Sequence, residues 1–173
     1  MTHPLEDAML TLAELRAFEG AGPLSEDGTI LPGAFLAMDR QQGEMGASFA
    51  SAPGVLLDLQ VTVTRPGRWL ALNFALGNRD LSGLEVLGLW CRLRAPQVVT
   101  AKLAVRTGLG EGFEDAAFTR HLVAFPDSAT HVDVLQLADF PVLWAEASWR
   151  NLMLTFETKS FALTIEDLRI FAA

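Results

Sequence analysis

From Val55 onward the chain alternates between apolar and other side chains, residue by residue, and that period of two directs it into β-strands. In "VLLDLQVTV", Val55, Leu57, Leu59, Val61 and Val63 share one face, while Asp58, Gln60 and Thr62 share the other. "WLALNFAL" sets Leu70, Leu72, Phe74 and Leu76 toward a core, and "VLGLWCRLR" does the same with Leu87, Leu89, Cys91 and Leu93. "VVTAKLAVR" follows with Val99, Ala101, Leu103 and Val105 inward and Thr100, Lys102 and Arg106 outward. Further runs span 117–125, 131–137, 150–157 and 161–171. The separators, among them "TRPGR", "GNRDLSG", "TGLGEGFED" and "FPDSAT", are rich in residues that form turns.

Helical spacing occurs only near the start. In "PLEDAMLTLAELRAF", Leu5, Met9, Leu12 and Leu15 fall on one stripe, with Pro4 at a first turn. Residues 19–54, rich in Gly, Pro, Ser and Asp, read as loop-dominated with strands near 29–37 and 45–51. Many short alternating strands without intervening helices predict an all-β fold: an antiparallel β-sandwich or jelly roll with a short N-terminal helical or irregular segment. With 173 residues and no linker-like shift in composition, one domain over 1–173 is expected.

Composition narrows the function. A net charge of −8 and a pI near 4.8 argue against nucleic acid as a partner. No apolar stretch reaches the length of a membrane span, and the opening "MTHPLEDAML" lacks the basic-then-apolar order of a secretion signal. The single Cys91 lies on the inward side of its run and reads as a small core residue. His3, His121 and His131 include no close pair in sequence, although His121 and His131 flank the "LVAFPDSAT" turn and would face each other across a hairpin. "GLGEG" reads as a hairpin loop, because no helix follows it to make a phosphate cradle. No nucleophile elbow or distinguished pair of carboxylates emerges, so no catalytic residue is assigned.

The outward set of residues 69–95 is unusual. Taken as neighbouring strands, these runs place Trp69, Asn73, Trp90, Arg92 and Arg94 on the side away from the core, beside Asp58, Gln60, Thr62, Thr100, Lys102 and Arg106. Flat aromatics among amides and cations suit a sugar, whose ring faces are apolar and whose edge carries hydroxyls. The alternative is a sheet face covered by the N-terminal segment. Trp149, just before a strand at Arg150, is expected in the core, whereas Trp144 in "DFPVLWAEAS" is either a loop plug or a ligand contact.

"FALGNRDLSGLEVLGLWCRLRA", "AFTRHLVAFPDS" and "WRNLMLTFETKSFALTIEDLRIF", with the early "RAFEG", resemble the carbohydrate-binding-module-like jelly rolls of the galactose-binding-like superfamily. The resemblance runs from Phe18 onward. It implies the jelly-roll fold, and together with the outward Trp69, Asn73, Trp90, Arg92 and Arg94, and with Trp144, it leads to the reading of a non-catalytic module that binds a poly- or oligosaccharide. It also implies a structural calcium ion joining the first and last strands through Glu19 and Asp167, with other oxygens completing the shell. Two other readings stand beside it. One is a structural or adhesive module of a larger assembly, docking on a protein partner through residues 1–17. The other is a jelly-roll glycan hydrolase or lyase.

Overall fold

The computed structural model describes residues 3–173, so the first two residues of the predicted segment 1–17 lie outside the described residues. Helix α1 (Glu6–Ala17) precedes thirteen strands: β1 (Gly20–Pro23), β2 (Thr29–Leu31), β3 (Ala34–Met38), β4 (Glu44–Ala52), β5 (Val55–Arg65), β6 (Leu70–Ala75), β7 (Val86–Arg94), β8 (Val99–Leu109), β9 (Gly112–Ala117), β10 (Leu122–Ala124), β11 (Ala129–Gln136), β12 (Arg150–Phe156) and β13 (Phe161–Ala172). They form two antiparallel sheets packed as a jelly-roll sandwich. Sheet A runs β1-β4-β5-β13-β7-β11, and sheet B runs β10-β8-β12-β6-β3-β2 with β9 also paired to β8. No described helix is long and apolar enough to cross a membrane.

The alternation predicts the core well. Leu57, Leu59, Leu70, Leu72, Phe74, Leu87, Leu89, Cys91, Leu93, Leu103 and Val105 are all buried between the sheets. Removing each such side chain from water contributes roughly 1.5–3 kcal/mol for the larger ones. Burial pushes the Cys91 thiol up to about 12, as befits an inert core residue.

Strand partnership departs from expectation. β6 and β7 do not pair: β6 lies in sheet B between β12 and β3, and β7 lies in sheet A between β13 and β11. From β5 to β8 the chain changes sheet at every connection, and it does so again from β10 through β13. "GNRDLSG" is therefore a crossover rather than a hairpin turn. The same topology separates His121 and His131, because β10 belongs to sheet B and β11 to sheet A. The run expected over 117–125 is divided between β9 and β10, and 29–37 is split into β2 and β3 by a turn at Gly33, whose φ of +84° favours glycine. "GLGEG" does close a hairpin, with Gly110 at φ +59° between Leu109 and Gly112.

α1 closes one end of the sandwich. Leu5, Ala8, Leu12 and Leu15 enter the core, and Ser51 Oγ donates to the Leu15 carbonyl at 3.2 Å. Met9 does not belong to that stripe; Ala8 takes the core position, and Met9 is half exposed. The apolar face proposed for docking on another protein is spent on the chain's own core.

Candidate functional site

The outer face of sheet B carries an open groove of about 660 Å³. Its floor comes from alternate positions on three adjacent strands: Ala37 on β3, Ala71 and Asn73 on β6, and Asn151, Met153 and Thr155 on β12. Aromatic side chains stand around it: Trp69 before β6, Trp149 before β12, Phe35 on β3 and Phe113 on β9. Small floor residues and large rim residues make the concavity. Ala71 and Asn73 are each only 5% exposed although they point away from the core, because the rim encloses them.

Each tryptophan has a built support. Asp39, 4% exposed, donates its backbone N–H to the Trp69 carbonyl at 3.1 Å, and its carboxylate accepts the N–H groups of Arg68 at 3.0 Å and Gln42 at 3.2 Å. Chiefly the Arg68 amide holds the Asp39 carboxyl below its usual value. At the other end, the Trp149 indole lies on Gly108, where an added methyl carbon would sit 2.4 Å from Nε1. Arg150 behind it is 2% exposed; its Nη1 donates to Arg79 O at 2.7 Å and its Nη2 to Ala145 O at 2.9 Å. These bonds tie two loops to β12 beneath the rim, although burial lowers the Arg150 pKa.

The polar chemistry of the groove is that of uncharged donors and acceptors. Asn73 Nδ2 donates to Ala71 O at 2.9 Å, while no described residue hydrogen-bonds to its carboxamide oxygen or to the Asn151 and Thr155 side chains. Among the described residues Arg106 is the one cation in the lining, and it is already engaged. Its Nε and Nη2 donate to Asp115 at 2.7 Å each, and its guanidinium lies 3.7 Å from the Phe113 ring centre. The Asp115 bonds raise its pKa further. No Asp or Glu lines the groove among the described residues.

The predicted patch is divided between the two faces of the molecule. Trp69 and Asn73, with Arg106, belong to this groove; Trp90, Arg92 and Arg94 point outward from sheet A on the opposite side. There Glu166 receives Arg92 at 2.6 Å and Arg94 at 3.5 Å, and Ser128 Oγ also donates to it. Arg169 lies 5.3 Å above the Trp90 ring and pairs with Asp167 at 2.9 Å. A bulge between Ile165 and Asp167 turns both acidic residues outward, which makes this network. Ser128 first, then Arg92, keep Glu166 below its usual pKa, while at Asp167 burial is outweighed by Arg169 and Arg16. Trp144 lies elsewhere. Its Nε1 donates to Leu137 O at 2.8 Å, and its half-exposed ring borders a separate depression with Ser82, Glu85 and Gln136.

Trp149 is not a core residue: it is 40% exposed, and Arg150 takes the inward position. Parity was the available signal. Trp149 is in step with Asn151, Met153 and Thr155, whereas Leu152, Leu154 and Phe156 fill the core. Phe35 was legible in the same way, between inward Ala34 and Leu36. Phe113 had no such signal, since its strand is exposed along most of its length.

Glu19 and Asp167 do not fit calcium. Glu19 is exposed, and Asp167 is held by Arg16 and Arg169, both at 2.9 Å, whose positive charge opposes a divalent cation. No group of three His, Cys, Asp or Glu residues suited to a metal occurs among the described residues.

No protein-family model matches the sequence. No curated protein matches it either. Solved structures do. A CBM4 module superposes with a TM-score of 0.58 at 11% identity, over 88% of this chain and 95% of that one. The N-terminal cellulose-binding domain of Cellulomonas fimi β-1,4-glucanase C gives 0.56 at 11% identity, over 88% and 97%. The CBM22-1 xylan-binding domain of Paenibacillus barcinonensis Xyn10C gives 0.52 at 12% identity, over 89% and 95%. The fold is that of the carbohydrate-binding-module jelly rolls. At such identity the likeness establishes the backbone architecture, and the side chains of the sheet B groove must carry any statement about ligand.

Proposed function

We propose that this chain is a non-catalytic carbohydrate-binding module whose ligand, a poly- or oligosaccharide, lies in the groove of sheet B. One observation carries the reading: an open groove with tryptophans at both ends and, on its floor, the Asn73 carboxamide oxygen and the Asn151 and Thr155 side chains, to which no described residue hydrogen-bonds. Indole faces stack on the C–H surfaces of sugar rings, and Asn73, Asn151 and Thr155 hydrogen-bond the ring hydroxyls. The lack of a carboxylate in the lining, among the described residues, supports binding without hydrolysis, which uses a pair of acids flanking the scissile bond. Arg106, neutralised by Asp115, serves as a fixed donor and suits an uncharged glycan. Similar folds include a cellulose-binding domain, a xylan-binding domain and a module in complex with a β-1,3-1,4-mixed-linked tetrasaccharide, which favours a β-linked glucan or xylan here. Calcium has no part in this proposal.

Isothermal titration against soluble β-glucans and xylan tests it, with Trp149→Ala and Trp69→Ala as controls. Binding by the native chain that either substitution abolishes is the expected result. Absence of binding to every one of these glycans, or undiminished binding by both variants, overturns it.

A further inference from the structure

Beyond Trp149, the groove opens into a second depression of about 280 Å³, lined by Asp7, Gly77, Asn78 and Ser148 and sharing Trp149 and Asn151 with the groove itself. We propose that this depression is an end subsite for further units of the same glycan chain, in which α1 contributes the Asp7 carboxylate as an acceptor for sugar hydroxyls. The proposal rests on the reading of the groove given above.

Alignment supports it. Ala71 stands opposite Thr155 and Ala75 opposite Asn151, so Trp149 is level with residue 77, eight residues along from Trp69. That separation is roughly 27 Å at about 3.4 Å per residue, enough for an extended chain of several sugars. Gly77, Asn78 and Ser148 lie at the Trp149 end of that line, so a chain leaving the groove there meets this depression first.

The chemistry supports it as well. Gly77 has a φ of +82°, and a methyl carbon placed on it would lie 2.6 Å from Asp7 Oδ2. Only glycine lets the Asp7 carboxylate come this close to the crossover backbone. Neighbouring Glu6 pairs with Arg79, whereas Asp7 forms no ion pair among the described residues. The crossover is fixed in place, since Asn78 O accepts the Ala147 N–H at 3.0 Å and Arg79 O accepts from buried Arg150. The subsite thus presents a carboxyl acceptor, a carboxamide and a hydroxyl on a rigid frame. A carboxylate accepting from a hydroxyl makes a strong, charge-assisted bond, and it repels the carboxylate of an acidic sugar. The units taken here are neutral.

Titration with cello- and xylo-oligosaccharides of two to eight units tests the subsite, comparing the native chain with the double variant Asp7→Ala, Asn78→Ala and with Asp7→Asn. Both substituted side chains are outside the core, and thermal melts check that the fold is kept. Expected is native affinity for short chains and a loss of about three- to ten-fold for the longest, so that the variant's affinity levels off at a smaller chain length. Equal affinity of variant and native protein at every length overturns the subsite while leaving the groove intact. An equal loss at all lengths also overturns it, because the residues then act on the groove as a whole. Failure of the native chain to bind any member of either series removes both readings together.

Discussion

The two outer faces of the sandwich are built on the same alternation, yet they leave their polar groups in opposite states. On sheet A, charged side chains satisfy one another: Glu166 holds Arg92 and Arg94, Asp167 holds Arg16 and Arg169, and Arg169 covers Trp90. On sheet B, aromatics ring a floor where the Asn73 carboxamide oxygen and the Asn151 and Thr155 side chains have no hydrogen-bond partner among the described residues. A face whose charges are paired offers little to a ligand, since any new contact must displace an existing one. A preformed concave face with free donors and acceptors offers both stacking area and hydrogen bonds.

The comparison breaks most easily at the tryptophans. Trp149→Ala or Trp69→Ala is expected to weaken glycan binding by at least ~30-fold, about 2 kcal/mol, as for a buried aromatic anchor. Trp90→Ala and Trp144→Ala are expected to leave the titration isotherm unchanged. A Trp90 effect equal to that of Trp149 would move the site to sheet A. A smaller effect follows from Gly108→Ala, which places a methyl carbon 2.4 Å from the Trp149 ring and forces it off its seat. We expect an affinity loss of roughly ten-fold, in line with overpacking costs of about 1–3 kcal/mol. Affinity equal to that of the native protein would show that the indole need not rest there.

Acid separates the faces further. The pKa values of Asp167 and Glu166 are lowered in the folded chain from 3.8 and 4.5, so their stabilisation is complete above those values and lost as pH falls through them. His131, between the sheets with Nε2 unpartnered, is lowered from 6.5 chiefly by burial, so it adds a loss that starts below 6.5. The groove's ionisable residue, Arg106, stays charged throughout. Melting temperature is therefore expected to fall on acidification while affinity of the folded protein for short glycans, which occupy the groove alone, stays flat. Parallel melts and titrations from pH 7 to about 2.5 measure both. Least of all, Glu166→Gln is expected to cost under ~1 kcal/mol, about 2–4 °C in melting temperature, with no change in affinity. A chelator is expected to change neither quantity, because the Asp167 site is filled by arginines.

Much of this was legible in the chain. Leu57 and Leu59, Leu70 and Leu72, and Leu87 and Leu89 named the core, since a strand's two faces follow from its period alone. Trp69 and Asn73 of the groove were visible as outward residues, and Trp149 and Phe35 were available to the same parity. What alternation cannot convey is which sheet a strand joins. Two runs a few residues apart, β6 and β7, present the same pattern whether they pair or cross to opposite layers. Hence alternation alone does not separate Trp90, Arg92 and Arg94 from Trp69.

The sequence by itself determined the β class, the inward set of each strand and the reserve of outward aromatics, because these depend on near neighbours along the chain. The tertiary structure decided which outward residues share a face, which charges cancel and where Arg150 and Asp7 find their surroundings. Those outcomes depend on pairings between residues far apart in sequence, such as Arg92 with Glu166 and Trp149 with Gly108, which local periodicity does not encode.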